Sequence, residues 1–457
     1  MSAHSRAVGK DLTQGSILPQ LVSFAMPILL TNLLQQLYNA VDLAVIGQFG
    51  GSTGTVGVST GGEIANLLTF VCVGLASAGE VYVSQLAGAK EHNKLRDAIG
   101  TLLTTMLAVS TVFMIISVAL CEPLLKLINT PVEAFAEARD YMLITAFGMP
   151  FIFGYNAICS TLRGMGESKR PLEFIIVATV VNIVLDVLFV AVFDMGAAGT
   201  AYATVIAQIA SCAAAVVFFY KHRVSFNFDF KLKSFAVHKE QLMILLKLGI
   251  PKVVQQVCIH VTQLYCNARV NDYGLVESAV NSVGNKVVRL VNIMTTSIDT
   301  GAAVMVGQNL SAQRYDRVKK VIYWALGLGG CICVMNCTLA LAAPEFLFGI
   351  FSKDPAVIEY GVVFMRVAVC TFILAVPHGA FGAVITGSGN AMLSLMIGLL
   401  DGILLRLVIS ITFSEALEMG VVGYFYGNSL PRIAPAVIGA VYFFSGKWKT
   451  RKLLTEK

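Results

Sequence analysis

Residues 21–50 read LVSFAMPILLTNLLQQLYNAVDLAVIGQFG, and residues 245–274 read LLKLGIPKVVQQVCIHVTQLYCNARVNDYG. Pro27 stands opposite Pro251 and Gly50 opposite Gly274, each pair 224 residues apart. Three further pairs repeat that displacement in chain order. VSQLAGAKEHNKLRDAI (83–99) matches VGQNLSAQRYDRVKKVI (306–322), RGMGES (163–168) matches TGSGNA (386–391), and DMGAAGTAY (194–202) matches EMGVVGYFY (418–426), at 223 or 224 residues. Each match is weak alone. Four of them in order at one spacing mark two copies of one structural unit.

The composition says what that unit is made of. The chain has 457 residues, 56% of them hydrophobic and 13% charged, roughly half the ~25% charge of a soluble domain. Its mean hydropathy is +0.75. A helix crossing a bilayer needs about 20 mostly apolar residues. Twelve segments qualify: 17–46, 55–84, 98–120, 133–161, 172–193, 197–220, 240–270, 278–306, 319–342, 356–386, 391–413 and 420–444. The expected fold is an all-α polytopic membrane protein of twelve transmembrane helices in two pseudo-symmetric six-helix lobes. The N-lobe is 1–220, a cytoplasmic linker 221–239, and the C-lobe 240–457. Six spans per copy is an even number, so both copies insert the same way round, as parallel repeats.

Basic residues set the orientation. With the N-terminus inside, the inside loops and both tails carry 22 of the 33 Lys and Arg, and the outside loops only Lys126, Arg269 and Lys353. This bias places both termini in the cytoplasm. The short polar N-terminus has no cleavable signal pattern, so the first span is expected to be a permanent helix. The +6 net charge lies in those loops and is no sign of nucleic-acid binding.

Polar residues inside the spans are the next signal. Residues 180–193, VVNIVLDVLFVAVF, place Asn182 and Asp186 in an otherwise apolar run, four residues apart and so on one helical face. A carboxylate there is costly unless it is neutralised or partnered, which points to function. Span 1 carries Gln35, Tyr38, Asn39 and Asp42 at three- and four-residue spacing; span 6 carries Thr200 and Thr204, and span 4 Asn156. Asp42, Asn182, Asp186 and Thr204 form an oxygen-rich set from three helices that suits a proton or a small hard cation. The alternative is that these residues only bridge helices.

Other chemistries lack support. There is no GxxxxGK[ST] for direct ATP drive. The GxSxG string at 50–54 falls in a loop between spans rather than on a strand–helix elbow. The ten cysteines lie in or beside apolar segments and read as small packing residues. His260 and His378 sit on different spans without a third ligand. No enzyme activity, metal (apart from Na+ as a transported ion) or cofactor is expected.

The chain resembles the MATE (multidrug and toxic compound extrusion) transporters, within a superfamily that includes lipid-linked oligosaccharide flippases. The resemblance covers nearly the whole chain and rests on QQLYNAVDLAVIG in span 1, SQLAGA after span 2, LRGMGESKRP after span 4, VVNIVLDVLFV in span 5, MGAAGTAYATVIAQ in span 6 and VGQNLSA after span 8. It is nearest the bacterial branch with membrane acids in the N-lobe. The resemblance implies that Asp42, Asn182, Asp186 and Thr204 bind the coupling H+ or Na+. Tyr38 and Asn156 match neighbouring polar positions; Asn39 and Thr200 complete the expected network. Pro27 matches a proline associated with helix bending, and a missing N–H permits a kink on physical grounds too. Another branch uses C-lobe acids in spans 7 and 10. Here VVQQVCIHVTQLY and FILAVPHGAFGAV contain none. In the C-lobe, Gln256, His260, Lys286 and Arg289 are candidate cavity residues; Lys252, Asp299, Arg366, Asp401 and Arg406 have no assigned role.

The expected function is therefore H+- or Na+-coupled antiport exporting drugs or other small amphipathic compounds by alternating access. A flippase for a lipid-linked oligosaccharide precursor is the alternative. The expected setting is the bacterial inner membrane, as a monomer whose partners are the bilayer and a small organic substrate, with no nucleic acid.

Overall fold

The computed structural model describes residues 9–226 and 228–455. Among them, eleven helices are long and apolar enough to cross a membrane. They are α1 (Ile17–Phe49), α2 (Gly51–Ala89), α3 (His92–Ala119), α4 (Val132–Gly164), α5 (Lys169–Val192), α6 (Gly196–Lys221), α7 (Lys239–Asn271), α8 (Leu275–Ser311), α9 (Tyr315–Ala342), α10 (Pro355–Gly387) and α11 (Ala391–Ala416). Helices form because hydrocarbon offers the backbone no hydrogen-bond partner, so each segment must satisfy its own N–H and C=O groups. Burial is turned inside out accordingly. On α5, Val180 and Val184 are 58% and 60% exposed, whereas Asn182 and Asp186 are 1% and 0% exposed. The protein is an all-α, multi-pass membrane bundle.

The expected twelfth span is not one helix. Residues 421–444 divide into α12 (Val421–Ser429), a 3-10 turn (Leu430–Arg432) and α13 (Ile433–Phe444). Pro431 lacks the N–H that would carry the helix through.

The duplication reappears in the backbone. Left-handed conformations recur at the repeat spacing: Lys90 and Gln313 (φ 57° and 56°), Asp194 and Glu418 (both 53°), Gly196 and Gly420 (55° and 58°). A π-helical turn ends α5 at Val187–Val192, and another ends α11 at Thr412–Ala416. Gly164 and Gly387 admit equivalent close approaches. A Cβ on either would lie 2.8 Å from the Glu80 carbonyl oxygen or 2.7 Å from that of Ala303.

The chain divides into two compact units. The first comprises residues up to Asp11 and Pro27–Gly249; the second comprises Leu12–Met26 and residues from Ile250 onward. The divisions fall inside α1 at Pro27 and inside α7 beside Pro251, not at the 221–239 connection. Contacts within each unit explain this. In the first, the Tyr82 hydroxyl donates to Gln241 Oε1, and a Cβ on Gly249 would be 2.8 Å from the Leu75 side chain. In the second, Leu12 N–H donates to Gln308 Oε1 at 3.1 Å, and Arg317 donates to Gly15 O at 2.7 Å and Gln20 Oε1 at 3.2 Å.

In the first unit α4 packs along α2 and α6, with α3 against α4 and α5 against α6. In the second α10 takes the equivalent place along α8, α9 and α13. The 221–239 connection is itself docked on α3. Phe226 and Phe228 are buried, Thr104 Oγ1 donates to Phe235 O at 2.7 Å, and His238 N–H donates to Thr101 Oγ1 at 3.2 Å. The helix is bare where this happens: a Cβ on Gly100 would be 1.9 Å from Ser234 O.

Candidate ion-coupling site and a second cavity

Three helices of the first unit bring the predicted acids together. α1 supplies Asp42, α5 supplies Asn182 and Asp186, and α6 supplies Thr204. Thr204 Oγ1 donates to Asp42 Oδ2 at 3.4 Å. Asp186 and Asn182 are Asp42's other polar neighbours. Asp42 is 7% exposed, and Asn182 and Asp186 essentially not at all. Asp42 Oδ1, both Asp186 oxygens and both Asn182 side-chain polar atoms have no hydrogen-bond partner. Such a cluster of buried, unsatisfied oxygen atoms is energetically expensive, and a proton or a bare cation placed among them would relieve it. The π-helical turn that begins at Val187, directly after Asp186, departs from the i→i−4 ladder, a feature frequent beside functional groups.

The surrounding residues are less uniform than the spacing suggested. Tyr38 lies one turn before Asp42, packed on Ile175, Ala178 and Ala207, with Gln208 of α6 nearby. Thr200 is fully buried with its hydroxyl unpartnered. Asn39 is exposed. Asn156 Nδ2 donates to Ile152 O at 2.8 Å, within its own helix. Pro27 lies inside α1, which runs through it as helix, and its carbonyl accepts from Thr31 Oγ1 at 2.8 Å. Two neighbours went unread in the sequence. Gln208 continues the Thr200–Thr204 stripe at four-residue spacing, a signal that was available. Tyr141 of α4 is close enough to interact with Asp42, Asp186 and Tyr38; nothing in its local sequence marks it.

The second unit holds a cavity of about 350 Å³ between α7, α8, α10, α11 and α12. Of the four residues expected there, only Arg289 lines it. Lys286 and Arg289 are both exposed on α8, but only Arg289 lines the cavity; Gln256 and His260 are half-buried on α7, whose lining positions are Ile259 and Gln263. Arg406 and Arg432 also line the cavity. Among the described residues no group of three or more His, Cys, Asp or Glu is gathered as a metal site, and the ten cysteines are free thiols.

The MatE family model matches the chain twice, over residues 27–188 and 251–412. The two matches begin at the interior prolines and lie 224 residues apart, the spacing of the internal repeat. The probable multidrug resistance protein YpnP of Bacillus subtilis (strain 168) is 30% identical over 454 residues, spanning 98% of this chain and 99% of the relative. The probable multidrug resistance protein YoeA of the same strain is 26% identical, spanning 94% of each. A solved structure described as an outward-facing conformation of a multidrug resistance MATE family transporter of the MOP superfamily superposes with a TM-score of 0.90, covering 98% of this chain and 100% of the other. Its identity is 18%, so it speaks to the fold alone.

Proposed function

The chain belongs to the MATE family of multidrug transporters, and from that premise we propose that it is a secondary antiporter exporting small amphipathic organic compounds in exchange for H+ or Na+. The observation that carries the coupling assignment is the pair Asp42 and Asp186, on two helices of one unit, with three of their four carboxylate oxygens unpartnered. Two buried carboxylates side by side call for a proton on one or a cation between them. In the cycle, substrate enters from the inside. The coupling ion arrives from the outside at Asp42 and Asp186, with Asn182 and Thr204 as neutral oxygen ligands or hydrogen-bond partners. Neutralising the acids lets α1 bend at Pro27, and that bend drives release of the substrate. No ATP is consumed.

In this reading α12 and α13 together make the twelfth crossing, giving two six-helix lobes with both termini in the cytoplasm of a bacterial inner membrane. The two Bacillus relatives, each described as a probable multidrug resistance protein, support an organic substrate. The test is efflux of a cationic dye from vesicles holding the purified protein, under an imposed pH gradient or an imposed Na+ gradient. The gradient that drives efflux names the ion. Efflux under neither, with transfer of a lipid-linked precursor instead, favours the flippase alternative.

A further inference from the structure

We propose that the cavity of the second unit is a binding site for an acidic amphiphile, a molecule with a phosphate, carboxylate or sulfonate head on a compact apolar body. The inference does not depend on antiport or on the identity of the coupling ion.

Three guanidinium groups, Arg289 of α8, Arg406 of α11 and Arg432 at the α12–α13 break, line the cavity, and no carboxylate does. Arg406 is 8% exposed, and its Nε has no hydrogen-bond partner. Among the described residues none of the three arginines makes an ion pair within 4 Å. Two acids stand nearby. Asp401 interacts electrostatically with Arg406 and Arg432, and Asp299 with Arg432. Neither acid lines the cavity.

Neutral polar groups of the lining are unpartnered too. Asn292 Oδ1 and both polar atoms of the Asn428 amide are buried and unpartnered. By contrast Thr371 and Ser429, also lining residues, bond each other at 2.8 Å. A buried cation without a partner is costly, and a guanidinium fork matches the paired oxygens of phosphate and carboxylate. Phe364, Phe425, Val288 and Ile293 are among the apolar lining residues and supply the surface for an apolar body. The volume, about 350 Å³, suits one compact ligand or a lipid headgroup, at the lower end of drug-sized pockets.

The experiment measures equilibrium binding without any gradient, so its failure and the failure of the antiport reading are separate results. The full-length protein, in phosphatidylcholine nanodiscs, is titrated by calorimetry with 1-naphthyl phosphate and with 1-naphthylmethylamine, which share a ring and differ in charge. The expected result is phosphate binding at least about tenfold tighter than amine binding. Arg289→Gln and Arg432→Gln should each weaken the phosphate by a similar factor, and Arg289→Lys should restore part of it. Thermal unfolding of each variant establishes that it is folded. Equal affinity for the two probes, or phosphate binding unchanged in both folded Gln variants, would overturn the proposal. Repeating the titration in phosphatidylglycerol nanodiscs identifies the source. Competition by the bilayer assigns the site to a lipid headgroup and undiminished binding assigns it to a soluble acid; both outcomes support the site.

Discussion

Thr204 of α6 donates its hydroxyl hydrogen to Asp42 Oδ2 of α1 across 3.4 Å, the one side-chain hydrogen bond given to either acid of the coupling cluster among the described residues. At that length it orients the carboxylate more than it stabilises the fold. Thr204→Val, nearly isosteric, should change thermal stability by no more than about 1 kcal/mol. It should raise the half-saturating concentration of the coupling ion several-fold, because the cluster loses one neutral oxygen. Ion-dependent efflux kinetics alongside thermal unfolding measure the two effects; a large loss of stability with unchanged ion dependence would make Thr204 a packing residue.

Arg163 and Glu80 make a different kind of contact in the same unit. Arg163 Nε lies 2.8 Å from Glu80 Oε2, with the side chains 20% and 11% exposed. Removing one partner from a mostly buried ion pair leaves the other charge uncompensated. Glu80→Gln should therefore destabilise the protein by about 3 kcal/mol. Adding Arg163→Met should recover much of the loss, since the stranded charge is gone. Unfolding of the two single variants and the double variant forms the cycle that tests it.

Acid should loosen the 221–239 connection. The Ser234 hydroxyl and then the Lys231 backbone N–H donate to the Asp229 carboxylate and hold it below the ordinary carboxylate range. A carboxylate depressed in the folded state contributes stability that is fully present above its unfolded value, about 3.9, and is lost as pH falls through the lower folded value. Hydrogen exchange across Leu232–Phe235 should therefore keep its protection from neutral pH down to about 4 and lose it only below. In Asp229→Asn the acid-dependent step should vanish. A loss of protection already near neutral pH would place the controlling group elsewhere.

The duplication was legible because prolines, glycines and short polar motifs hold their positions at one spacing, and the same spacing returns in the left-handed residues and the π-helical turns. Asp42 and Asp186 were legible because a carboxylate in an apolar run has few bland explanations. Asn39 shows the limit of helical counting. A three- and four-residue stripe spans a wide arc, and Asn39 falls on its exposed edge while Tyr38 and Asp42 turn inward. The break at Pro431 was hidden by hydropathy, which averages over a proline. The division of α1 and α7 between the two units was invisible, because apolar residues record that they are buried, not which neighbour buries them. Only contacts such as Arg317 to Gly15, and Gly249 against Leu75, reveal it.

The central claim is that Asp42 and Asp186 couple an ion gradient to export. Its most direct test compares the wild type with Asp42→Asn and Asp186→Asn in vesicles, by two measurements on the same preparations: gradient-driven dye efflux, and dye counterflow in the absence of a gradient. The account predicts that both variants lose gradient-driven efflux while retaining counterflow, since the cavity is kept and only its link to the ion is cut. Efflux still driven by the gradient in folded Asp186→Asn protein would contradict it.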